Sequence, residues 1–491
     1  MGYSFSNIHA LAYSFIGYQT AYLSTKWNPI YWNTACLMVN SGSLEDHSET
    51  EIVDIYEPEY QELSEGTTYV DLPDRSGKIK KTTSTDYEKL AKAIGNMKEA
   101  GIKISLVDIN NSDFSFVPDI NNNQILFGLK GMLNINDELV KTIIANRPYS
   151  SPKDFYYKVR PKRPAMISLI KGGAFDSMEE RKFVMAWFLW ETCDKKSNLT
   201  LQNMPTLKKY NLLPEDTEER LTARRVYEFN RYLKLVCAGK DKKTYILDDR
   251  AISFMQEMGF DNMISSDLTL DANIWDKKGY QPWMNVYRKW MSENKQEILD
   301  KLNKLIFTEE WNNYAEGTIS KWEMDVLCFY YHEHELINVN KEKYGIAKFN
   351  KLSPQPIVDK SFVRGGKEIK LFKLDRICGT CIAKNKNKAL VTLLTTDGVV
   401  TLKFSKEYFS MFDKQISERG EDGKKHVLEK SWFNRGSMIV VTGMRSDDMF
   451  IVKKYSATPG HRLYKIDEIK ENGDLILRHE RLSGEEEESE N

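Results

Sequence analysis

The feature that most constrains this chain is a change of texture near Lys370. Before it, apolar residues recur mostly at helical spacing. After it come short runs rich in β-branched residues: LFKLDRICGTCIA, ALVTLLTTDGVVTLKF, SMIVVTGMR and DMFIVKKY. A sequence with the helical period does not pack as a strand, nor the reverse, so the switch separates regions of different class. Thr396-Asp397-Gly398 supplies a hairpin turn. Four or five short strands in about 90 residues, with a helical insertion near KEYFSMFDKQI, have the rhythm of a small Greek-key barrel, the OB-fold. The expectation is a multidomain α+β protein, helical first and closed by a β-barrel.

The helical part has its own punctuation. Residues 5–40 read as helical, interrupted at Pro29. Ala10, Tyr13, Phe15, Ile16, Ala21 and Leu23 lie near helical spacing, and His9 and Tyr13, four apart, share a face. Residues 84–100 give an amphipathic helix stopped at Gly101. IKISLVDINNSDFSFVPDINNNQILFGL then reads as short strands joined by Asn/Asp turns. From Asp137, the positions of Leu139, Val140, Ile143 and Ile144 restore a helix, which Pro148 ends. Ser151 caps the next helix, and PAMISLIKGGAF forms another that stops at Gly172-Gly173. Residues 180–340 are helix-rich, and Trp283, Tyr287, Trp290 and Ile298 are expected in a core.

Composition narrows the function classes. A 491-residue chain that is 41% hydrophobic and 29% charged folds rather than staying disordered. Its net charge of −1 conceals local asymmetry. Ser43–Glu65 holds nine acids and no Lys or Arg, whereas Leu139–Phe175 holds eight Lys/Arg and one acid. The second stretch suits a polyanion, and the closing GEEEESEN reads as a solvated tail. Six scattered cysteines point to a reducing, cytoplasmic location. Cys378 and Cys381 form a lone CxxC without a second ligand pair for zinc, and are read as strand thiols. Asp447-Asp448 reads as a solvated turn rather than a catalytic pair. YYHEHEL (330–336), taken as a helix, sends His332 and His334 to different sides, where they cannot share a metal. No apolar run is long enough to span a membrane, and no membrane partner is expected.

Three collinear stretches carry a resemblance. FSNIHALAYSFIGYQTAYL (5–23) is similar to a fingers pattern, F-N-K-S-H-A-x-A-Y-x-x-I-S-Y-Q-T-A-Y-L. GIKISLVDINNSDFSF (101–116) is similar to G-I-K-V-x-x-P-D-I-N-x-S-x-x-x-F, and runs on through RPYSSPKDFYYKV to LIKGGAFD, like a helix-hairpin-helix region. EMDVLCFYYHEHEL (323–336) is close to E-K-E-x-L-G-x-Y-x-S-x-H-P-L and precedes the expected barrel. Together they resemble the C-terminal part of the alpha subunit of bacterial DNA polymerase III, the family C replicative polymerases.

The resemblance implies a domain series: polymerase fingers (1–117), helix-hairpin-helix DNA-binding region (118–180), helical connection (181–340), OB-fold (341–465) and acidic tail (466–491). It implies that His9, Tyr13 and Asn7 face the incoming nucleotide. Here Asn7 replaces the family's lysine and Ile8 its serine, which removes a charge beside a triphosphate. Asn134, Asn136, Lys158, Arg160, Lys162, Arg163 and Lys171 are expected on duplex DNA, with Asn134-Ile135-Asn136 where the family has G-x-G. Phe372, Phe404 and the loop carrying Lys384, Lys386 and Lys388 are expected on single-stranded template. Ser265–Leu270, SSDLTL, is the nearest match to a sliding-clamp peptide, without its glutamine and phenylalanine. No residue here is assigned as catalytic or as a metal ligand. Nucleotidyl transfer needs Mg²⁺ on paired carboxylates. The chain is therefore expected to be one part of a split DNA polymerase, of a phage or other mobile element. Its partners would be a palm-bearing chain, primer-template DNA, single-stranded template, dNTP and a sliding clamp. The alternative is a non-catalytic DNA-binding or regulatory protein derived from such a region.

Overall fold

A computed structural model describes residues 7–41, 69–70, 81–82, 87–214, 217–236, 244–257, 264–268, 272–419, 425–455 and 459–482. The acidic stretch 43–65 and the loop at Gly77 lie outside them. Two compact units result: Met1–Met185 together with Gly317–Asn491, and Ala186–Glu316.

The first unit opens with helix α1 (Asn7–Lys26) and helix α2 (Pro29–Ser41). Asn28 separates them, its side chain accepting from the Ile30 amide at 3.0 Å. Ile30 and Leu37 of α2 are fully enclosed. Strands β1 (Tyr69–Val70) and β2 (Lys81–Thr82) pair antiparallel. Helix α3 (Tyr87–Glu99) buries Leu90, Ala91, Ile94 and Met97. It stops where Gly101 turns left-handed at φ +76°, and the Ile102 amide closes the last turn on Met97 at 2.9 Å. Strand β5 (Gln124–Leu126) then lies between β3 (Lys103–Ile104), parallel to it, and β4 (Val117–Asp119), antiparallel. Helices α4 (Asp137–Ala145), α5 (Pro152–Val159), α6 (Arg163–Lys171) and α7 (Arg181–Thr192) follow.

The second unit contains α8 (Met204–Lys209), α9 (Glu218–Val236), β6 (Thr244–Ile246), α10 (Asp249–Glu257), β7 (Ile264–Asp267), β8 (Ala272–Asp276), α11 (Lys277–Glu293) and α12 (Lys295–Tyr314). Its three strands form an antiparallel sheet in the order β6-β8-β7. Trp275, Met284, Tyr287 and Leu302 fill its core, with Trp283 and Trp290 packed against them. Those aromatics are packing residues. The unit spans 186–316, narrower than the 181–340 expected, because α13 (Ile319–Leu327) packs against α6 in the first unit.

Beyond α13, β9 (Val358–Arg364) and β10 (Lys367–Phe372) form a separate two-stranded ribbon. The barrel consists of β11 (Asp375–Asn385), β12 (Leu390–Thr395), β13 (Gly398–Lys403), β16 (Met438–Ser446) and β17 (Met449–Val452). Between β13 and β16 lie helix α14 (Lys406–Phe412) and the hairpin β14 (Ile416–Arg419) with β15 (Lys425–Glu429). Pairing runs β11-β12-β13-β17-β16 and returns to β11, with β13 and β17 parallel. A closed five-stranded ring with a helix after its third strand is the OB arrangement. Phe404, Phe409, Phe412, Trp432, Phe433 and Phe450 seal its interior, and each fully buried side chain of this kind stabilises by roughly 1.5–3 kcal/mol.

Several expectations are corrected here. Phe404 is interior, so it offers no face to a base. Lys384 belongs to β11 rather than to a loop, and its ammonium is held by Asp413, Ser431 and Asn434. YYHEHEL is a series of turns, not a helix: His332 meets Glu323 and His334 meets the Leu394 carbonyl. The tail does not start at 466, since β18 (Tyr464–Ile469) and β19 (Leu475–Arg478) extend the barrel sheet from β16. Cys378 and Cys381 do lie on β11, where burial pushes the Cys378 thiol up to about 12.

Candidate nucleic-acid interface

The interface starts from a clasp. Asp108 accepts from the amides of Asn110 and Asn111, each at 2.9 Å, which fixes the DINNS turn. Asn110 then pairs with the Tyr149 backbone in both directions at 2.9 Å, and Arg147 donates to the carbonyls of Ile109 and Ser112. The stretch that carried the resemblance therefore holds the hairpins from behind. Gly128 permits a separate close approach, of the 128–130 backbone to residues 113–116, because a Cβ there would stand 2.4 Å from the Ser115 carbonyl carbon.

The first hairpin turn precedes α4. Asn134 adopts φ +64°, the left-handed region that asparagine tolerates. Its side-chain amide donates to Ser168 Oγ at 3.0 Å, while Asn136 caps α4 by accepting from the Leu139 amide at 3.0 Å. Asp137 and Glu138 occupy the first turn of α4, and Lys130 is paired to Asp137. Carboxylates already satisfy the positive end of that helix dipole, so this turn repels a phosphate more than it attracts one.

The second turn has the opposite character. Helix α5 is capped by Ser151 and ends at Arg160 in the left-handed conformation, φ +49°. Helix α6 starts three residues later, at Arg163, with no side-chain cap and no acid in its first turn. Its N-terminus, unlike that of α4, carries no carboxylate against the positive end of the helix dipole. Arg160 and Lys162 beside it are exposed. Lys158 is exposed too, and shared with Asp154 at 3.0 Å and the Pro148 carbonyl at 3.2 Å. The Ser150 amide and Lys158 hold the Asp154 carboxyl below its ordinary range. Arg163 is half-buried. Lys171 is turned inward, paired with Asp325 of α13 at 2.8 Å, and leaves the list of DNA-facing candidates.

A second clasp escaped sequence reasoning. Glu323 of α13 is fully buried, and accepts from Arg181 at 3.0 Å, from the amides of Tyr331 and His332, each at 3.0 Å, and meets His332 Nδ1 at 2.6 Å. Arg181 also reaches Asp176 and the Lys171 carbonyl. Gly173, at φ +83°, lies so close that a Cβ would be 2.5 Å from the guanidinium. The signal was present as a lone Arg and a lone Glu 142 residues apart, which no local window joins.

Elsewhere, α1 carries Ile8, Leu11, Tyr13, Phe15, Ile16 and Tyr18 exposed around its circumference, Tyr13 at 64%. Asn7 and His9 lie on the same helix, with side chains outside the described set. On the barrel, Lys386 and Lys388 are exposed beyond β11, Lys386 3.5 Å from Asp413. Phe372 is half-buried beneath Lys453, 5.2 Å from its ring. Asp447 and Asp448 make the β16–β17 turn, where Asp447 is engaged by Gln355 at 2.6 Å. Ser265–Asp267 form part of the edge strand β7, with Leu268 exposed beyond it; Thr269 and Leu270 lie outside the described residues.

Comparison with known proteins bears on this geometry. Residues 101–184 match the helix-hairpin-helix motif, a span that includes the clasp and both turns and begins before the 118 expected. The chain is 40% identical over 490 residues to "Probable DNA polymerase YorL" of Bacillus subtilis strain 168, covering 97% of this chain and 35% of that one. The same figures hold for "DNA-directed DNA polymerase" of Bacillus phage SPbeta. Against "DNA polymerase III subunit alpha" of Thermus aquaticus, identity is 26% over 191 residues, 38% of this chain and 12% of that one. The chain is similar to DNA polymerase III alpha over part of its length. It resembles the C-terminal region of such polymerases, and spans about a third of the length of the phage and Bacillus relatives. Among the described residues, no helix is long and apolar enough to cross a membrane.

Proposed function

We infer that these residues serve DNA-directed DNA synthesis as the substrate-gripping part of a replicative polymerase. The second hairpin turn holds duplex primer-template by its phosphates, through the α6 amides with Arg160 and Lys162. Lys158 and Arg163 add charge, and Asn134 and Asn136 shape the neighbouring turn. Helix α1 closes over the incoming dNTP, with His9, Tyr13 and Asn7 toward it. Lys386, Lys388 and Phe372 meet single-stranded template on the barrel. A sliding clamp engages the Ser265–Leu270 segment.

One observation carries the reading. A helix apolar on all sides belongs in an interior, yet α1 stands exposed. The relatives aligned to 97% of this chain extend well beyond it, with 65% of their length unmatched. The surface that covers α1 is taken to be the palm, on polypeptide outside these residues. Among the described residues, no group of three His, Cys, Asp or Glu side chains could hold a metal. They do not fit a two-metal centre, so no catalytic step is derived from them, and the assembled enzyme's Mg²⁺ would sit on palm carboxylates.

The test is primer extension with Mg²⁺, using this chain, a polypeptide carrying the unmatched part of the phage SPbeta relative, and their mixture. Synthesis only in the mixture is expected. Synthesis by this chain alone overturns the reading. A mixture that binds DNA salt-sensitively but never extends favours the alternative, a non-catalytic DNA-binding protein.

A further inference from the structure

The ribbon before the barrel has two unlike faces. Its register sets Lys360 opposite Leu371, Phe362 opposite Ile369 and Arg364 opposite Lys367. Directly paired residues share a face, so the register positions of this face are Lys360, Phe362, Arg364, Lys367, Ile369 and Leu371, with no acid among them. The other face carries Asp359, Ser361, Val363, Glu368 and Lys370, where acids outnumber the single cation.

The ribbon is not a packed part of the barrel. Lys360 and Phe362 are exposed, Phe362 at 45%. The tip turns through Gly365 and Gly366, at φ +58° and +74°, the pair of left-handed residues that a tight two-residue hairpin demands. The base is anchored. The Tyr455 hydroxyl accepts from the Phe372 amide at 2.6 Å and donates to the Phe372 carbonyl at 3.0 Å. The bulge at Leu371/Phe372 sets Phe372 opposite Val358, on the basic face. Lys453 lies 5.2 Å from the Phe372 ring and 5.8 Å from the Tyr455 ring. Lys453, Phe372, Lys360 and Phe362 thus alternate cation and aromatic from the barrel along the ribbon.

We propose that this face is an extension of the single-strand path: DNA leaving the barrel past Lys453 lies along the ribbon, a phosphate against Lys360 and a base stacked on Phe362. Charge selects the occupant. A face with Lys360 exposed and no acid at its register positions suits a phosphodiester chain, and the exposed Phe362 beside it suits an unpaired base, whose stacking surface a duplex keeps covered. Lys370, on the opposite face and shared with Glu368 at 3.8 Å, takes no part.

The proposal rests on the barrel binding single strands, and the test separates the two. Fluorescence anisotropy of the full chain with oligo(dT) of increasing length, at several salt concentrations, compares wild type, Lys360→Ala/Phe362→Ala, Lys370→Ala and Lys386→Ala/Lys388→Ala. Circular dichroism checks that each variant is folded. The ribbon pair should weaken binding of long oligonucleotides at least about fivefold, from the lost stacking alone. It should also lower the salt slope by about 0.7, one phosphate's share on a single strand. Short oligonucleotides and Lys370→Ala should match wild type. If wild type and the barrel variant differ but the ribbon pair binds like wild type, the ribbon inference is overturned and the barrel reading survives. If wild type binds no oligo(dT), both fall. If the ribbon pair loses affinity for duplex and not for oligo(dT), the assignment to single strands is overturned.

Discussion

In the barrel, Leu393, Leu402, Ile439, Val441 and Phe450 are sealed from water. In α1, Leu11, Phe15, Ile16 and Tyr18 stand in it. Both stretches are apolar, and only geometry separates their fates. A barrel strand alternates, so its apolar half turns inward and the ring closes over it. Helix α1 has no such bias: its apolar residues surround the axis, and α2 can cover only one side. An exposed patch of that kind marks a contact surface. The comparison teaches that this chain is stabilised in its barrel and hairpins, while α1 is held ready for something else.

Substitutions can break that contrast. Phe450→Ala, inside the barrel, should cost about 3–5 kcal/mol, read as a fall in thermal midpoint of the folded chain. Glu323→Ala leaves Arg181 enclosed beside one fewer carboxylate, and should cost a similar ~3–5 kcal/mol in the same measurement. A midpoint unchanged by either would mean that stability lies elsewhere.

Acid should act on the barrel through Glu429. Burial alone would raise its carboxyl, but hydrogen bonds from Arg478, Trp432 and Arg481 prevail and hold it at about 2, against an ordinary 4.5. A depressed folded value adds stability that is complete above about pH 4.5 and lost as pH falls toward 2. Denaturation followed between pH 6 and 2 should show that loss, and Glu429→Gln should flatten it.

DNA affinity should respond next. Arg160→Ala/Lys162→Ala should lower the salt slope for duplex binding by about 0.9 per lost phosphate contact and leave thermal stability alone. Lys171→Ala should do the reverse. The smallest effect should come from Leu11→Ser on α1, within about 0.5 kcal/mol for the chain by itself, together with loss of extension in the assembled polymerase. A large destabilisation from Leu11→Ser would abolish the contrast between the two regions.

What could be read beforehand follows the range of the forces. The stop of α3 at Gly101, the Ser151 cap and the left-handed tolerance of Asn134 are local, and all three stand in the fold. The barrel's order was legible from strand spacing. The β18–β19 hairpin was not, although Asn472-Gly473-Asp474 marks its turn, because Lys465, Asp467, Glu468 and Lys470 give its strands the look of a solvated tail. Lys171 and Lys384 were misread for another reason. Their carboxylate partners, Asp325 and Asp413, lie 154 and 29 residues away, and a charge cluster in sequence does not show which members fold inward. The same distance hid the meeting of Arg181 and Glu323.

The enclosed Glu323 has a mechanical meaning. Arg181 reaches it from the hairpin side, and the 331–332 backbone reaches it from the segment leading to the barrel. On the proposed reading, tension applied to a duplex at α6 would be handed toward the barrel through a guanidinium–carboxylate strut instead of dissipating in a slack tether. Template slipping through one would then tug on the other, and the strut would make the two proposed grips a stiff coupling.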